Sequence, residues 1–229
     1  MSAINRIRRS VAKRGAIATL VHGIRTLPTT FSPARLAPEA LQFDRERGID
    51  TAQPVDLSNL KIESRNAIYG VQYQPVSTTL FRHALAALDV QSQDYTFVDL
   101  GCGKGKALIL ALEFGFRRLV GVEFAQSLLK AAKENLGVFL ACASIQNVSW
   151  QLACADAAEY DFPSGPLVIF MYNPFEAPVM LKVAARILRS FHAERRPVHV
   201  VYINPTCPEA FDAFSRSETD DFHIYSLHP

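Results

Sequence analysis

The sequence predicts an α/β fold built on a mostly parallel sheet of six or seven strands. From residue 94 onwards, short β-branched or apolar runs alternate with segments of helical periodicity, which is typical of β-α-β units. A glycine-rich turn, GCGKG, joins the first of these runs to the first helix. Because such units place helices on both faces of the sheet, we expect a Rossmann-like three-layer sandwich, preceded by a basic N-terminal arm.

Strands and helices are predicted in regular alternation. The strands are short apolar runs at 95–100, 118–123, 148–153, 167–172 and 198–203. The helices are predicted at 105–115, 125–141, 176–192 and 208–216. The segment DFHIYSLHP leaves room for one more strand, which we place at an edge of the sheet. Whether a seventh strand is present is left open.

The basic residues are concentrated at one end of the chain. Residues 1–38 contain seven arginines and lysines and no acid. They contribute +7 to a net charge of +2, which leaves −5 for the remainder. We therefore assign residues 1–60 to a basic N-terminal arm and linker, and residues 61–229 to the folded domain.

The arm has apolar residues at helical spacing, among them Ile4, Ile7 and Val11. This pattern leaves three interpretations open: a solvated and partly disordered arm, a surface for weak contact with a membrane or a nucleic acid, and a transit peptide. No run approaches the roughly 18 to 20 apolar residues that are needed to cross a bilayer.

The cysteines and histidines carry no sign of a metal site. Four cysteines, at positions 102, 142, 154 and 207, are scattered without a C-x-x-C pair, and the six histidines share no ligand spacing. Reduced thiols and a cytoplasmic location are therefore expected, with peripheral membrane association as a further interpretation of the arm.

The turn after the first predicted strand reads DLGCGKG and runs from Asp99 to Gly105. Alternate glycines, Gly101, Gly103 and Gly105, permit positive φ and let a ligand approach the backbone beside a helix N-terminus. A dinucleotide site would place its third glycine where this chain has Lys106, which weakens that interpretation. The D-x-G-x-G-x-G pattern resembles the loop of class I S-adenosylmethionine-dependent methyltransferases.

This resemblance implies that S-adenosylmethionine is the cofactor and that acids at strand ends bind it. Glu123 closes the second strand, where the family has an acid that accepts both ribose hydroxyls. Asp156 follows the third strand and matches the acid that takes the adenine amino group, with the backbone of Ala157 beside it. A solvated loop residue is the alternative for each acid taken alone.

Upstream of the first strand, the stretch YGVQYQPVS contains Tyr73. It resembles the segment that closes over the methionine end of the cofactor in bacterial class I methyltransferases and in protein-lysine methyltransferases distantly related to the Dot1 type. The alternative is that its aromatic residues belong to the hydrophobic core.

Asn173, Pro174 and Phe175 follow the fourth predicted strand. They are similar to the Asn/Asp-Pro-Pro-aromatic motif of amine- and amide-methylating members, although the second proline is missing. In that motif the asparagine oxygen accepts hydrogens from the substrate nitrogen, and the aromatic ring packs over the acceptor. A simple turn is the alternative.

Together, the loop and the strand-end residues predict an S-adenosylmethionine-dependent methyltransferase that methylates a nitrogen of a protein side chain or of a small-molecule amine. Two alternatives remain open. One is a non-catalytic regulatory module that binds S-adenosylmethionine or a nucleotide. The other is an adaptor that associates with membrane or RNA through its basic arm.

Overall fold

The computed structural model describes residues 38–56, 66, 72–172 and 174–229. They belong to one compact unit, Ala37–Pro229. The predicted division between residues 60 and 61 stays a prediction, because residues 57–65 lie outside the described residues. No helix in the described part of the chain is long and apolar enough to span a membrane.

The described residues form one seven-stranded sheet with the order β3-β2-β1-β4-β5-β7-β6. Strands β1 to β5 are parallel, and β7 runs antiparallel between β5 and β6. In chain order, the strands are β1 (Thr96–Leu100), β2 (Arg118–Glu123), β3 (Ser149–Cys154), β4 (Leu167–Tyr172), β5 (Val198–Ile203), β6 (Ser215–Glu218) and β7 (Phe222–Leu227). The predicted mostly parallel sheet is confirmed, and it has seven strands.

Five α-helices are present in the described residues: α1 (Pro38–Arg47), α2 (Thr78–Ala86), α3 (Lys106–Glu113), α4 (Gln126–Cys142) and α5 (Ala177–Ala193). Helices α1 to α4 pack on one face of the sheet and α5 packs on the other, which gives the predicted three layers. Within β1, Phe97 and Val98 belong to opposite faces and both are fully buried. Burial on both faces explains why these strands are continuous apolar runs.

Helix α1 is not predicted by the sequence, because prolines interrupt residues 28–75 and the helix lacks a clear apolar stripe. Phe43 nevertheless anchors it in the core, with only 4% of its surface exposed. The guanidinium of Arg47 and the ammonium of Lys106 lie over the Phe43 ring, at 4.0 and 4.8 Å from its centroid.

The C-terminal part differs from the prediction in two ways. The expected helix at 208–216 is a short 3-10 helix, Pro208–Phe211, followed by strand β6. The final strand, β7, is not at an edge, because β6 pairs with its outer side. The sequence of β6, SRSE, is polar and fully exposed, so it shows none of the alternation that identifies a strand.

Candidate active site

The glycine loop connects β1 to α3 at the carboxyl end of the sheet. Its glycines Gly101, Gly103 and Gly105 all have positive φ, at 83°, 53° and 85°. A Cβ on Gly101 would lie 2.8 Å from the Cβ of Pro174, and one on Gly103 would lie 2.2 Å from the ring of Tyr73. The loop therefore needs glycine both for its backbone conformation and because side chains of the same chain lie directly on it.

Glu123 ends β2 beside this loop and is only 4% exposed. Its Oε2 accepts from the backbone N–H of Gly103 at 3.0 Å, and its Oε1 accepts from the N–H of Ala125 at 2.9 Å. Burial raises the pKa of Glu123 to about 7, although these backbone hydrogen bonds favour the ionised form. The two backbone hydrogen bonds thus fix the carboxyl group of Glu123 beside the glycine loop.

Asp99 lies next to Glu123 in the interior of β1 and is 3% exposed. Its pKa is raised well above its usual value, first by burial and then by the neighbouring charge of Glu123. Burial near a second carboxyl group thus favours the protonated form of Asp99.

Asp156 follows β3 and lines a cleft with Glu123 and Ala157. Its Oδ1 accepts from the N–H of Ala158 at 2.9 Å, and its Oδ2 accepts from the side-chain amide of Asn66 at 2.7 Å. Asn66 lies upstream of β1, in a stretch of the sequence where no motif singles it out. Its contact with Asp156 shows that residues before β1 reach this end of the cleft.

A second cleft opens beside the first, and the two share Gly101, Glu123, Phe124 and Phe175. Tyr73 and Pro174 line this second cleft. The residues predicted from separate motifs therefore meet along one continuous groove, with Asp156 at one end and Tyr73 at the other.

Of the predicted catalytic residues, Asn173 lies outside the described residues. Pro174 and Phe175 lie just after β4 and line the second cleft, and their catalytic role stays a prediction. Gly103, Gly105 and Asp99 line neither cleft; the two glycines contact Tyr73 and Ala132, and Asp99 is buried in β1. Among the described residues, no group of three or more His, Cys, Asp or Glu is arranged to hold a metal ion.

Comparison with known proteins gives a family match. The model of the family described as "Histone methylation protein DOT1" matches residues 51–151, which include Tyr73, the glycine loop and Glu123. No curated protein shows significant similarity to the chain.

Many solved structures share the fold. A predicted N6-adenine-specific DNA methylase from Listeria monocytogenes is 13% identical, with a TM-score of 0.50 over 68% of this chain and 52% of that one. The small RNA methyltransferase HEN1 is 16% identical, with a TM-score of 0.51 over 68% of this chain and 26% of that one. The chain thus spans about half the length of the first and a quarter of the second, and at these identities the likeness shows the fold alone.

Three observations point to the same fold family: the strand order, the D-x-G-x-G-x-G loop at the end of β1, and the family match over that loop. The described residues have the fold of class I S-adenosylmethionine-dependent methyltransferases, and residues 51–151 resemble the Dot1 family, which supports S-adenosylmethionine as the cofactor.

Proposed function

We propose that the chain transfers the methyl group of S-adenosylmethionine to a nitrogen atom of a protein side chain or of a small-molecule amine. The observation that carries this proposal is the position of Pro174 and Phe175, which line the groove beside the glycine loop and Glu123. They stand where the amine-methylating motif places its last two residues, so an acceptor that enters this end meets Phe175.

In this proposal the groove holds the cofactor at four points. The two oxygens of Glu123 take the ribose hydroxyls, since a carboxylate offers acceptors in one plane. Asp156 and the backbone of Ala157 take the adenine amino group and ring edge. Gly101 lines both clefts and faces the middle of the molecule, Gly103 and Gly105 allow the turn of the loop, and Tyr73 covers the methionine end.

When bound, the cofactor supplies a methyl group that its positively charged sulfur has already activated. The side chains then have to align the acceptor and exclude water, and such positioning accounts for about 7 to 11 kcal/mol of a barrier in well-oriented reactions. The side-chain oxygen of Asn173 would accept a hydrogen bond from the N–H of the neutral amine and so direct its lone pair at the methyl carbon. The N–C bond would form as the S–C bond breaks, and the methylated nitrogen would then lose its extra proton to water. Phe175 packs against the acceptor and keeps water out.

Calorimetry tests the cofactor contacts. Wild-type protein is expected to bind S-adenosylmethionine and S-adenosylhomocysteine, and Glu123→Ala is expected to lose at least about tenfold in affinity for both. Glu134→Ala is the matched control, because Glu134 lies exposed on α4 and pairs with Lys130 on the same helix, at 3.9 Å. Absence of heat with wild-type protein would refute the proposed site.

The acceptor class is tested by incubating cell lysate with cofactor that carries a labelled methyl group. The label is expected in protein or in small amines, and acid hydrolysis should return it as an N-methylated amino acid or amine. Label that is released by nuclease as a methylated nucleoside would contradict the proposal.

Asn173→Ala tests the catalytic assignment. We expect kcat to fall on the order of a hundredfold while the affinity for S-adenosylhomocysteine stays unchanged, because the lost contact is to the acceptor. Gln146→Ala, which removes an exposed side-chain amide before β3, is the control. An unchanged kcat in Asn173→Ala would remove the assignment and leave the cofactor site intact.

A further inference from the structure

Asn135 is a buried polar residue of α4 that belongs to no sequence motif. Its side chain is 6% exposed. Its Oδ1 accepts from the backbone N–H of Asp50 at 3.0 Å, and its Nδ2 donates to the carbonyls of Asp50 and Lys104, each at 3.0 Å. A buried amide requires such partners. Asn135 thereby joins residue 50 directly to the glycine loop.

The segment 50–52 is also held from its other side. Asp44 of α1 accepts from the N–H of Thr51 at 2.7 Å, from the hydroxyl of Thr51 at 2.6 Å and from the N–H of Ala52 at 2.6 Å. The ammonium of Lys104 lies 3.1 Å from the Oδ2 of Asp50. These charge-assisted contacts fix the segment against both α1 and the loop.

Tyr73 is attached to the same stretch at two points. Its hydroxyl donates to the carbonyl of Thr51 at 2.7 Å, and its backbone exchanges two hydrogen bonds with Val55, at 3.1 and 3.2 Å. Its ring lies on Gly103, within 2.2 Å of where a Cβ would be. The spacing between Tyr73 and the loop is therefore set by where the segment is held.

We propose that Asn135 is a positioning residue that sets this spacing and so determines how well the methionine end of the cofactor fits. The inference rests on the proposed function of the groove. Asn135 acts through Asp50 and Thr51 and does not touch the cofactor itself. Asp156, at the adenine end, bonds to Ala158 and Asn66, and those bonds do not involve Asn135.

Two ligands separate this role from a merely structural one. Asn135→Asp keeps the shape of the side chain and replaces its two hydrogen-bond donors by an acceptor that faces two carbonyls. We expect this variant to bind S-adenosylhomocysteine roughly tenfold more weakly, whereas adenosine, which lacks the amino-acid part, loses less than about threefold. Calorimetry with each ligand gives the ratio of the two affinities.

Two control variants should leave that ratio unchanged. Asn147→Asp adds the same charge at an exposed position, and Ile187→Ala lowers stability in the core on the opposite face of the sheet. If Asn135→Asp binds both ligands equally more weakly, or loses affinity for neither, the ratio is unchanged. That result would overturn this inference and leave the cofactor site standing. Wild-type protein that binds neither ligand would overturn the cofactor site, and the inference with it.

A second variant keeps the test valid if Asn135→Asp does not fold. Tyr73→Phe removes only the hydrogen bond to Thr51 and leaves the ring on Gly103. We expect the same selective loss for S-adenosylhomocysteine, at about threefold. If this variant binds both ligands with wild-type affinity, the spacing does not depend on the segment and the inference is wrong.

Discussion

The two halves of the sheet differ in how their residues are constrained. At the ends of β2 and β3, Glu123 and Asp156 line one cleft, and the buried Asp99 of β1 lies close to Glu123. In the half formed by β5, β7 and β6, the residues mainly fill a core, for example Phe211, whose ring lies 4.7 Å from that of Tyr225. A ligand site restricts the residue at each position, whereas a core accepts many combinations of apolar side chains.

Gly103→Ala is expected to have the largest effect on ligand binding at the ends of β1, β2 and β3. The new Cβ would lie 2.2 Å from the ring of Tyr73, whose hydroxyl is anchored to Thr51, and the φ of 53° is strained for alanine. We expect affinity for S-adenosylhomocysteine to fall at least about a hundredfold, measured by calorimetry.

Gly165→Ala is the matched control for that change. Gly165 also has a positive φ, at 80°, but nothing lies within 4 Å of the position that a new Cβ would take. It should therefore show a similar backbone strain with unchanged ligand affinity. If both variants lose affinity equally, strain alone explains the effect and the contact with Tyr73 is irrelevant.

Phe211→Ala tests the other half. Phe211 is fully buried, so we expect a loss of about 3 to 5 kcal/mol in the free energy of unfolding, measured by urea denaturation. The affinity of the remaining folded protein for S-adenosylhomocysteine should stay within about twofold of wild type. A large change in affinity would show that the two halves are not separable.

The pH dependence of stability should report Glu123. Its pKa is about 7 in the folded chain, above its value of 4.5 in the unfolded chain, so the folded state retains the proton between these two values. The contribution of this group to the free energy of unfolding is therefore greatest below pH 4.5. It falls by about 3 kcal/mol in all as the pH rises towards 7, and it levels off above that pH.

Comparison with Glu123→Gln isolates this contribution, because glutamine does not titrate. Urea unfolding without ligand at pH 5 and pH 8 should show a loss about 2 to 3 kcal/mol larger in wild type than in the variant. Equal losses in the two proteins would mean that the carboxyl titrates normally in the folded state.

Gly137→Ala is expected to have the smallest effect, and it should stabilise the protein. Gly137 lies in α4, is exposed, and would meet nothing within 4 Å of a new Cβ. Alanine should raise the free energy of unfolding by about 0.5 to 1 kcal/mol without changing ligand affinity. Weaker ligand binding here would show that the site also depends on the backbone of α4.

The sequence predicts the first half well because its signals are local. The loop, Glu123 and Asp156 each lie at the end of an apolar run, and β1, β2 and β3 fall within a residue of their predicted limits. The contacts of Asn66 and Asn135 could not be predicted, since they join residues 90 and 85 positions apart. The sequence does not predict β6, because pairing with β7, and not its own composition, makes it a strand.

The exposed outer strand β6 has a consequence for how this domain behaves at high concentration. Arg216 and Glu218 pair with each other at 3.0 Å on that strand, and all four of its residues are exposed. A strand of a neighbouring molecule that paired with β6 would have to place its backbone next to these charged side chains. The apolar β7 is shielded behind it, so this rim of the domain resists the strand-to-strand stacking that leads to aggregates.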